Sequence, residues 1–431
     1  MFIRLRHILT AFGPDAIRLN IASIVGSLPI GYKSIVLPIY FSKVGLDSTL
    51  IGQLSMVSSV SSAVLLIFFG LLADRFGRKP FVILGTALPI VSYGILLTTQ
   101  DALMLYIAAA LGGVGLANGV SGALASSSFN ALLAEKVNDR NRNAVFSVTN
   151  GGWTAALMVG SLLGGMPEWL QHEMGMNVVA SYQPLFWIAL ITAIAGTLIL
   201  LPVTETHRAH FLPLHTDATS ISHRTLRTTV KLAVFMGLLG LGLGFGIQML
   251  PLWFYLRYGV SGDILGPWYA AGELGSTLSM LVVPPLARRL GDVRFVLLTQ
   301  GSSALAMIGM VISPIMWVGA TLSVFRSTLV NMSWPIQQSY MMGIVQPRER
   351  ATVNSATLAA WGLASAISPV FSGMWLDQRR LALPLLAGAA SYLMSALVLY
   401  AHFRHVRPTG AMDVEPLTSR SMDMDHLMQD N

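Results

Sequence analysis

Cysteine is absent from the 431 residues, which excludes disulfides and thiolate metal sites and leaves the redox compartment unmarked. Charge is scarce as well: Asp, Glu, Lys and Arg together make up 11% of the chain. Ordinary soluble domains carry about 25%. A globular chain of this length would have too little polar material to cover its surface. No Walker A string occurs, and Gly113-x-Gly115-x-x-Asn118 only half matches a dinucleotide loop and sits inside an apolar stretch. ATP-driven and nucleotide-dependent redox chemistry are set aside, and neither enzyme activity nor a cofactor is expected. The histidines between residues 203 and 229 (His207, His210, His215, His223) are irregularly spaced, so no metal site is expected.

What the chain has in abundance is apolar sequence, 54% by composition with a mean hydropathy of +0.64. The surplus must face lipid. A bilayer core needs about 20 apolar residues per helix, and on that measure spans fall near 20–42, 50–73, 81–99, 102–133, 144–166 and 184–202. A second set lies near 230–256, 264–287, 295–314, 316–344, 352–375 and 382–403. The formal charge of +7 comes from loops between these stretches rather than from one basic face, which argues for a membrane protein and against nucleic acid. Of the 27 Lys and Arg, 21 fall on the side of the termini, 4 on the other side, and Lys33 and Arg326 within spans. Both termini are therefore expected in the cytoplasm, with the start of the chain uncleaved.

The two sets of spans resemble each other. Gly70-Leu-Leu-Ala-Asp74-Arg75-Phe-Gly77 followed by Phe81 recurs as Pro284-Pro-Leu-Ala-Arg288-Arg289-Leu-Gly291 followed by Phe295, 214 residues on. Val137, Arg140, Arg142, Ser147, Trp153 and Gly165 recur 208 residues on as Val345, Arg348, Arg350, Ser355, Trp361 and Gly373. Gly31, Pro38 and Phe41 match Gly244, Pro251 and Phe254. Three matches in one order indicate a duplicated six-helix unit. The expected organisation is an N-terminal half at 1–202, a basic cytoplasmic linker at 203–229, a C-terminal half at 230–407 and a disordered cytoplasmic tail at 408–431.

The string Gly70-x-x-x-Asp74-Arg75-x-Gly77-Arg78-Lys79 between spans two and three resembles the signature of the major facilitator superfamily, G-x-L-A-D-R-x-G-R-K. Gly70 permits close helix approach and Gly77 a tight turn. Asp74 suits the positive end of a neighbouring helix, and Arg75, Arg78 and Lys79 suit headgroup phosphates. The resemblance implies an all-α integral membrane fold of twelve helices in two pseudo-symmetric six-helix bundles. It implies a secondary transporter working by alternating access, monomeric, in the plasma (inner) membrane. It also gives Gly70, Asp74, Arg75, Gly77 and Arg78 the role of a cytoplasmic gating latch. Arg288 stands where a second Asp would, so the second copy is not expected to latch. Proton-driven drug exporters of the family carry Gly-Pro-x-x-Gly-Gly in span five and an arginine in span four, whereas this chain reads Gly160-Ser-Leu-Leu-Gly164-Gly165 and Ala109-Ala-Leu-Gly112-Gly113. That alternative stays open, as does a non-transporting receptor or assembly protein on the same scaffold. Small residues at Ala156, Gly160 and Gly164, and at Gly272, Gly275, Ser276 and Ser279, are expected to let spans five and eight pack across the interface between halves.

Three charged residues fall inside spans: Lys33, Glu273 and Arg326. Each costs about 2.5–3.5 kcal/mol at a helix centre, so all three are expected to face the interior. They lie roughly 12–15 Å deep, near the midplane. We expect them, with Tyr32, Asn118, Gln248, Asn331 and Gln338, to form the substrate or ion site, in competition with a merely structural salt bridge. Two cations against one anion favour an anionic solute. Glu273 is the sole carboxylate within a span and the candidate carrier if H+ is the coupling ion.

Overall fold

Apolar runs in lipid must satisfy every backbone N–H and C=O internally, which leaves helices as the available solution for segments of this length. The computed structural model describes residues 13–112, 119–137, 142–205, 223–346 and 349–406, and every element in it is a helix. In the N-terminal half these are α1 (Pro14–Lys43), α2 (Ser48–Phe76), α3 (Lys79–Thr98), α4 (Ala102–Leu111), α5 (Gly119–Glu135), α6 (Arg142–Leu163), α7 (Met166–Met174) and α8 (Val178–Leu200). The C-terminal half has α9 (His223–Gly246), α10 (Leu250–Tyr258), α11 (Gly262–Ser279), α12 (Val283–Leu290), α13 (Asp292–Ile312), α14 (Met316–Gly343), α15 (Arg350–Asp377) and α16 (Ala382–Phe403).

The spans read from sequence fall on these helices in order. Among the described residues eight stretches are long and apolar enough to cross a membrane by length and composition. Their outward surface is apolar: Leu305, Ile312 and Ile191 are 69%, 75% and 60% exposed. The remaining spans, four, five, eight and ten, fall on α4 with α5, on α6, on α11 with α12, and on α14. Among the described residues spans seven and eight are broken. In span four the helix α4 ends at Gly112, where φ is +116°, and residues 113–118, before Gly119, lie outside the described residues. Span seven stops at Gly246 and restarts at Leu250, with Pro251 in the first turn of the new helix. A run of five glycines (Gly237, Gly240, Gly242, Gly244, Gly246) weakens the first piece, and a proline is tolerated only where its missing N–H is not needed. The short helix α7 occupies a stretch expected to be loop, whereas α12 continues span eight after a turn at residues 280–282.

Packing repeats between the halves. α1 lies against α6 and α8, and α9 lies in the same way against α15 and α16. The halves meet through α2 on α15 and α6 on α11, with α10 against α1. Among the described residues, the close glycine contacts between the interface helices lie at one end of the bundle. A Cβ built on Gly52 would strike Pro369 O, on Gly373 Ser48 O, on Gly262 Gly164 O and on Gly266 Ser161 O. These residues lie at the end opposite the chain termini, the end expected from the Lys/Arg distribution to be the outer one. The expectation for the small residues needs correcting. Gly160 faces Leu28 of α1, while Gly272 and Gly275 face Ser327 and Thr328 of α14, inside their own halves. Gly164 is the glycine of those named that meets the opposite half, where Gly262 packs on its carbonyl; Gly266 packs on Ser161 one turn away.

Candidate functional site

The N-terminal half encloses a cavity of about 450 Å³ bounded by α1, α3, α5, α6 and α8. It runs from Lys33, Tyr93 and Gly112 near the middle of the bundle to Ala22, Val82 and Leu200 near the end that carries the termini. Lys33 is 3% exposed, so its long stem is enclosed by protein and its ammonium group sits at the deep end. The wall is mostly apolar, with scattered hydroxyls and amides. Some of these already serve the scaffold: Thr149 Oγ1 donates to Asn20 Oδ1, Ser27 Oγ donates to Ile24 O at 2.8 Å, and Thr197 donates to Thr86 at 3.2 Å. Trp153 and Asn150 form an exposed rim on α6.

Arg326 lies elsewhere. It is buried on α14 in the C-terminal half, its guanidinium at hydrogen-bonding range of Tyr392 and within electrostatic reach of Tyr269. Its Nε has no hydrogen-bond partner among the described residues. Glu273 is half-buried on α11, one turn from Tyr269 on the same helix face. No ion pair among the described residues joins any two of Lys33, Glu273 and Arg326. Three charges expected at one level therefore occupy three environments.

The polar candidates divide in the same way. Tyr32 is a packing residue whose hydroxyl donates to Leu185 O at 2.8 Å. Gln248 sits in the break between α9 and α10, donates to Ser365 O at 3.2 Å, and leaves its Oε1 unmatched among the described residues. Asn331 ties α14 to α11 by donating to Ser276 Oγ at 2.8 Å. Gln338 is half-buried on α14. Asn118 lies outside the described residues, as do the side chains of Asp74 and Arg75, the 408–431 tail and most of the 203–229 linker. Around the gating loop, Gly77 turns the chain with φ +92°, and the N–H groups of Arg78 and Lys79 donate to Glu205 at 2.6 and 3.1 Å. Glu205 thus caps the first turn of α3 from beyond α8.

Two further carboxylates lie where the halves meet at the end opposite the termini. Asp377, closing α15, accepts from Ser48 N at 2.7 Å, Thr49 N at 2.9 Å and Thr49 Oγ1 at 2.6 Å, and so caps α2 of the other half. Glu168 on α7 accepts from Lys43 at 2.9 Å and Tyr182 at 3.1 Å, and its Oε2 lies against Gly262, the first residue of α11. Asp377 thus caps a helix of the opposite half, whereas Glu168 bonds within its own half and leaves Oε2 without a hydrogen-bond partner among the described residues beside the start of α11. Neither residue was selected from sequence, because both lie just beyond span ends. The available signal was positional: Pro167-Glu168-Trp169 and Trp375-Leu376-Asp377 end spans five and eleven within one residue of the 208-residue repeat.

This arrangement, two similarly packed helical halves sealed at one end around interior charge, is matched by sequence comparison: the Major Facilitator Superfamily profile fits residues 19–369. The chain belongs to the Major Facilitator Superfamily. Within it, the chain is 22% identical over 410 residues to the class H tetracycline resistance protein of Pasteurella multocida, covering 90% of this chain and 96% of that protein. The class G tetracycline resistance protein of Vibrio anguillarum is 24% identical over 344 residues, 75% of this chain and 82% of the other. Among solved structures the nucleoside transporter NupG superposes with a TM-score of 0.70 at 14% identity, over 91% of this chain and 99% of NupG. A D-xylose–proton symporter gives 0.69 at 17% identity, over 89% and 97%. The sequence-based assignment to this family and to an all-α transporter fold stands, and the chain is a multi-pass membrane transporter.

Proposed function

We propose that this protein is a secondary active transporter of a bacterial inner membrane, with both termini cytoplasmic. It carries a small organic solute, with a preference for anionic ones, by alternating access. The observation that carries this reading is the unequal closure of the two ends. Glycine-on-carbonyl contacts and the Asp377 cap bind the halves together at the outer end, while the interior cavity extends toward the other. A rocking pair of halves needs such a seam, able to part as a unit. Lys33 is the solute contact in this reading, with Arg326 a second cation on the path and Glu273 the residue that exchanges a proton where H+ is coupled. Counterflow of labelled solute in proteoliposomes, after a thermal-shift screen of metabolite anions to choose it, is the direct test. Solutes that stabilise the purified protein yet never exchange across the vesicle would make it a receptor on a transporter scaffold.

A second reading is a proton-driven exporter of lipophilic compounds, and the two tetracycline-resistance relatives favour it. Direction separates the two. An exporter lowers cellular accumulation of a lipophilic dye and loses that effect when the proton gradient collapses.

A further inference from the structure

We infer that the C-terminal half holds a closed counterpart of the cavity in the N-terminal half, and that this counterpart opens to bind a small neutral polyol. The internal repeat supplies the correspondence. The crevice between α9, α13, α14 and α16 is bordered by Phe235, Val296 and Gln337. At the offsets of 213, 214 and 208 residues that relate the halves, these match Ala22, Val82 and Phe129, and all three line the open cavity. The crevice itself is too tight to hold a water molecule.

Polar groups continue its wall. Val293, Val296, Gln300, Ser303 and Met307 follow one another at helical spacing on one buried face of α13. Gln300 and Ser303 are fully buried, and Gln300 Oε1, Gln300 Nε2 and Ser303 Oγ have no hydrogen-bond partner among the described residues. Across the crevice on α14, Gln337 is buried and donates to Ser333 Oγ at 2.6 Å, while its Oε1 is likewise unmatched among the described residues. Gln300 and Ser303 correspond to Thr86 and Pro89, which also line the open cavity. Buried amides and hydroxyls are nearly always hydrogen-bonded, because leaving water without a new partner is costly. Gathered on one face, these groups form a wall that an occupant completes.

Their inventory selects the occupant. Two carbonyl oxygens require donors, the Gln300 amide N–H groups require acceptors, and the Ser303 hydroxyl takes either. A carboxylate cannot donate and an ammonium ion cannot accept. Adjacent hydroxyls do both, and bring no charge among apolar helices. Met307 is the plug. It stands at the position of Tyr93, which lines the open cavity, and its methyl group takes the space beside Gly246 and presses on Gly388. Methionine has three rotatable bonds and adapts readily, so this side chain can swing clear. A pocket of this kind is a minor conformation that its ligand makes dominant.

The probe is erythritol, used with the purified full-length protein. In equilibrium dialysis labelled erythritol should bind saturably to the wild-type chain, and Gln300→Leu, an apolar replacement of similar volume, should weaken it at least tenfold. The absence of cysteine allows a reporter thiol: Val296→Cys lies on the crevice wall and leaves every polar group in place. Adding Met307→Ala should speed the reaction of that thiol with neutral methyl methanethiosulfonate at least tenfold. Erythritol should slow the reaction again, whereas lactate and ethylammonium should not. No saturable binding to the wild-type chain, or equal binding in Gln300→Leu, overturns the proposal. So does a thiol rate that Met307→Ala leaves unaltered. A thiol that Met307→Ala exposes but erythritol does not protect marks a crevice that admits water alone, and that also overturns it. None of these results bears on the transport reading, which counterflow tests separately.

Discussion

Removing the Asp377 carboxylate should open the outer seam by a measurable factor. The carboxylate accepts three hydrogen bonds from the first turn of α2, two from backbone N–H groups that no helical carbonyl can reach. A charge-assisted hydrogen bond contributes about 1.5–3 kcal/mol when shielded, and loss of an N-cap costs about 0.5–2 kcal/mol. Asp377 is exposed, so water replaces much of what is lost, and the lower part of these ranges applies. We expect Asp377→Ala to cost the closed state about 1–2 kcal/mol, an increase of roughly 5- to 30-fold in the open-to-closed ratio. The absence of cysteine makes the assay clean. Val370→Cys places a single thiol on α15 where its backbone borders Gly52 of α2. A membrane-impermeant maleimide should label it about tenfold faster when Asp377→Ala is added, at unchanged expression. Equal labelling rates in the two backgrounds would refute the argument that this cap holds the seam shut.

Glu205→Gln keeps the shape of the α3 cap but removes its charge, and should lower thermal stability by about 1 kcal/mol, read as a fall in melting temperature of the purified protein. Gly262→Val drives side-chain atoms into Gly164 O at the seam and should block exchange while leaving insertion intact, as measured by counterflow against membrane-fraction blots. Glu273→Gln should abolish accumulation driven by a pH gradient yet retain exchange at zero gradient; continued uphill accumulation would make Glu273 structural. A reporter fused near residue 172 should read external and one near residue 215 cytoplasmic, and reversal of either breaks the orientation inferred from Lys and Arg.

Hydropathy located the helices because lipid contact demands long apolar runs whatever the details of packing. It could not see the interruption at 247–249, since glycine is nearly neutral on a hydropathy scale although it weakens a helix. The interior charges show a related limit. Depth along a span follows from counting residues, and Lys33, Glu273 and Arg326 do fall inside the bundle. Azimuth does not follow, because each residue turns the side chain by about 100° and the orientation of each helix is set by its neighbours. Lys33 therefore faces α3 and α8, while Arg326 faces α16. The inter-half carboxylates were hidden for a different reason. Asp377 and Glu168 read as loop acids, and only the tertiary fold brings the N-terminus of α2 against Asp377 and Lys43 and Tyr182 against Glu168.

Where glycine meets carbonyl in this seam, no side chain stands between the helices to rotate aside. It cannot loosen by degrees: separating Gly262 from Gly164 by a single ångström forfeits the contact along the whole turn, and Gly266 with Ser161 must follow because both belong to the same rigid helix. Flexible seams of long side chains would permit a continuum of widths, but this one permits two. Time spent at the outer end should accordingly be divided into discrete dwells, sealed or parted, with a lifetime set by the simultaneous loss of the α2–α15 and α6–α11 contacts. A fluorophore pair across that end, followed one molecule at a time, should step between two levels and show no drift.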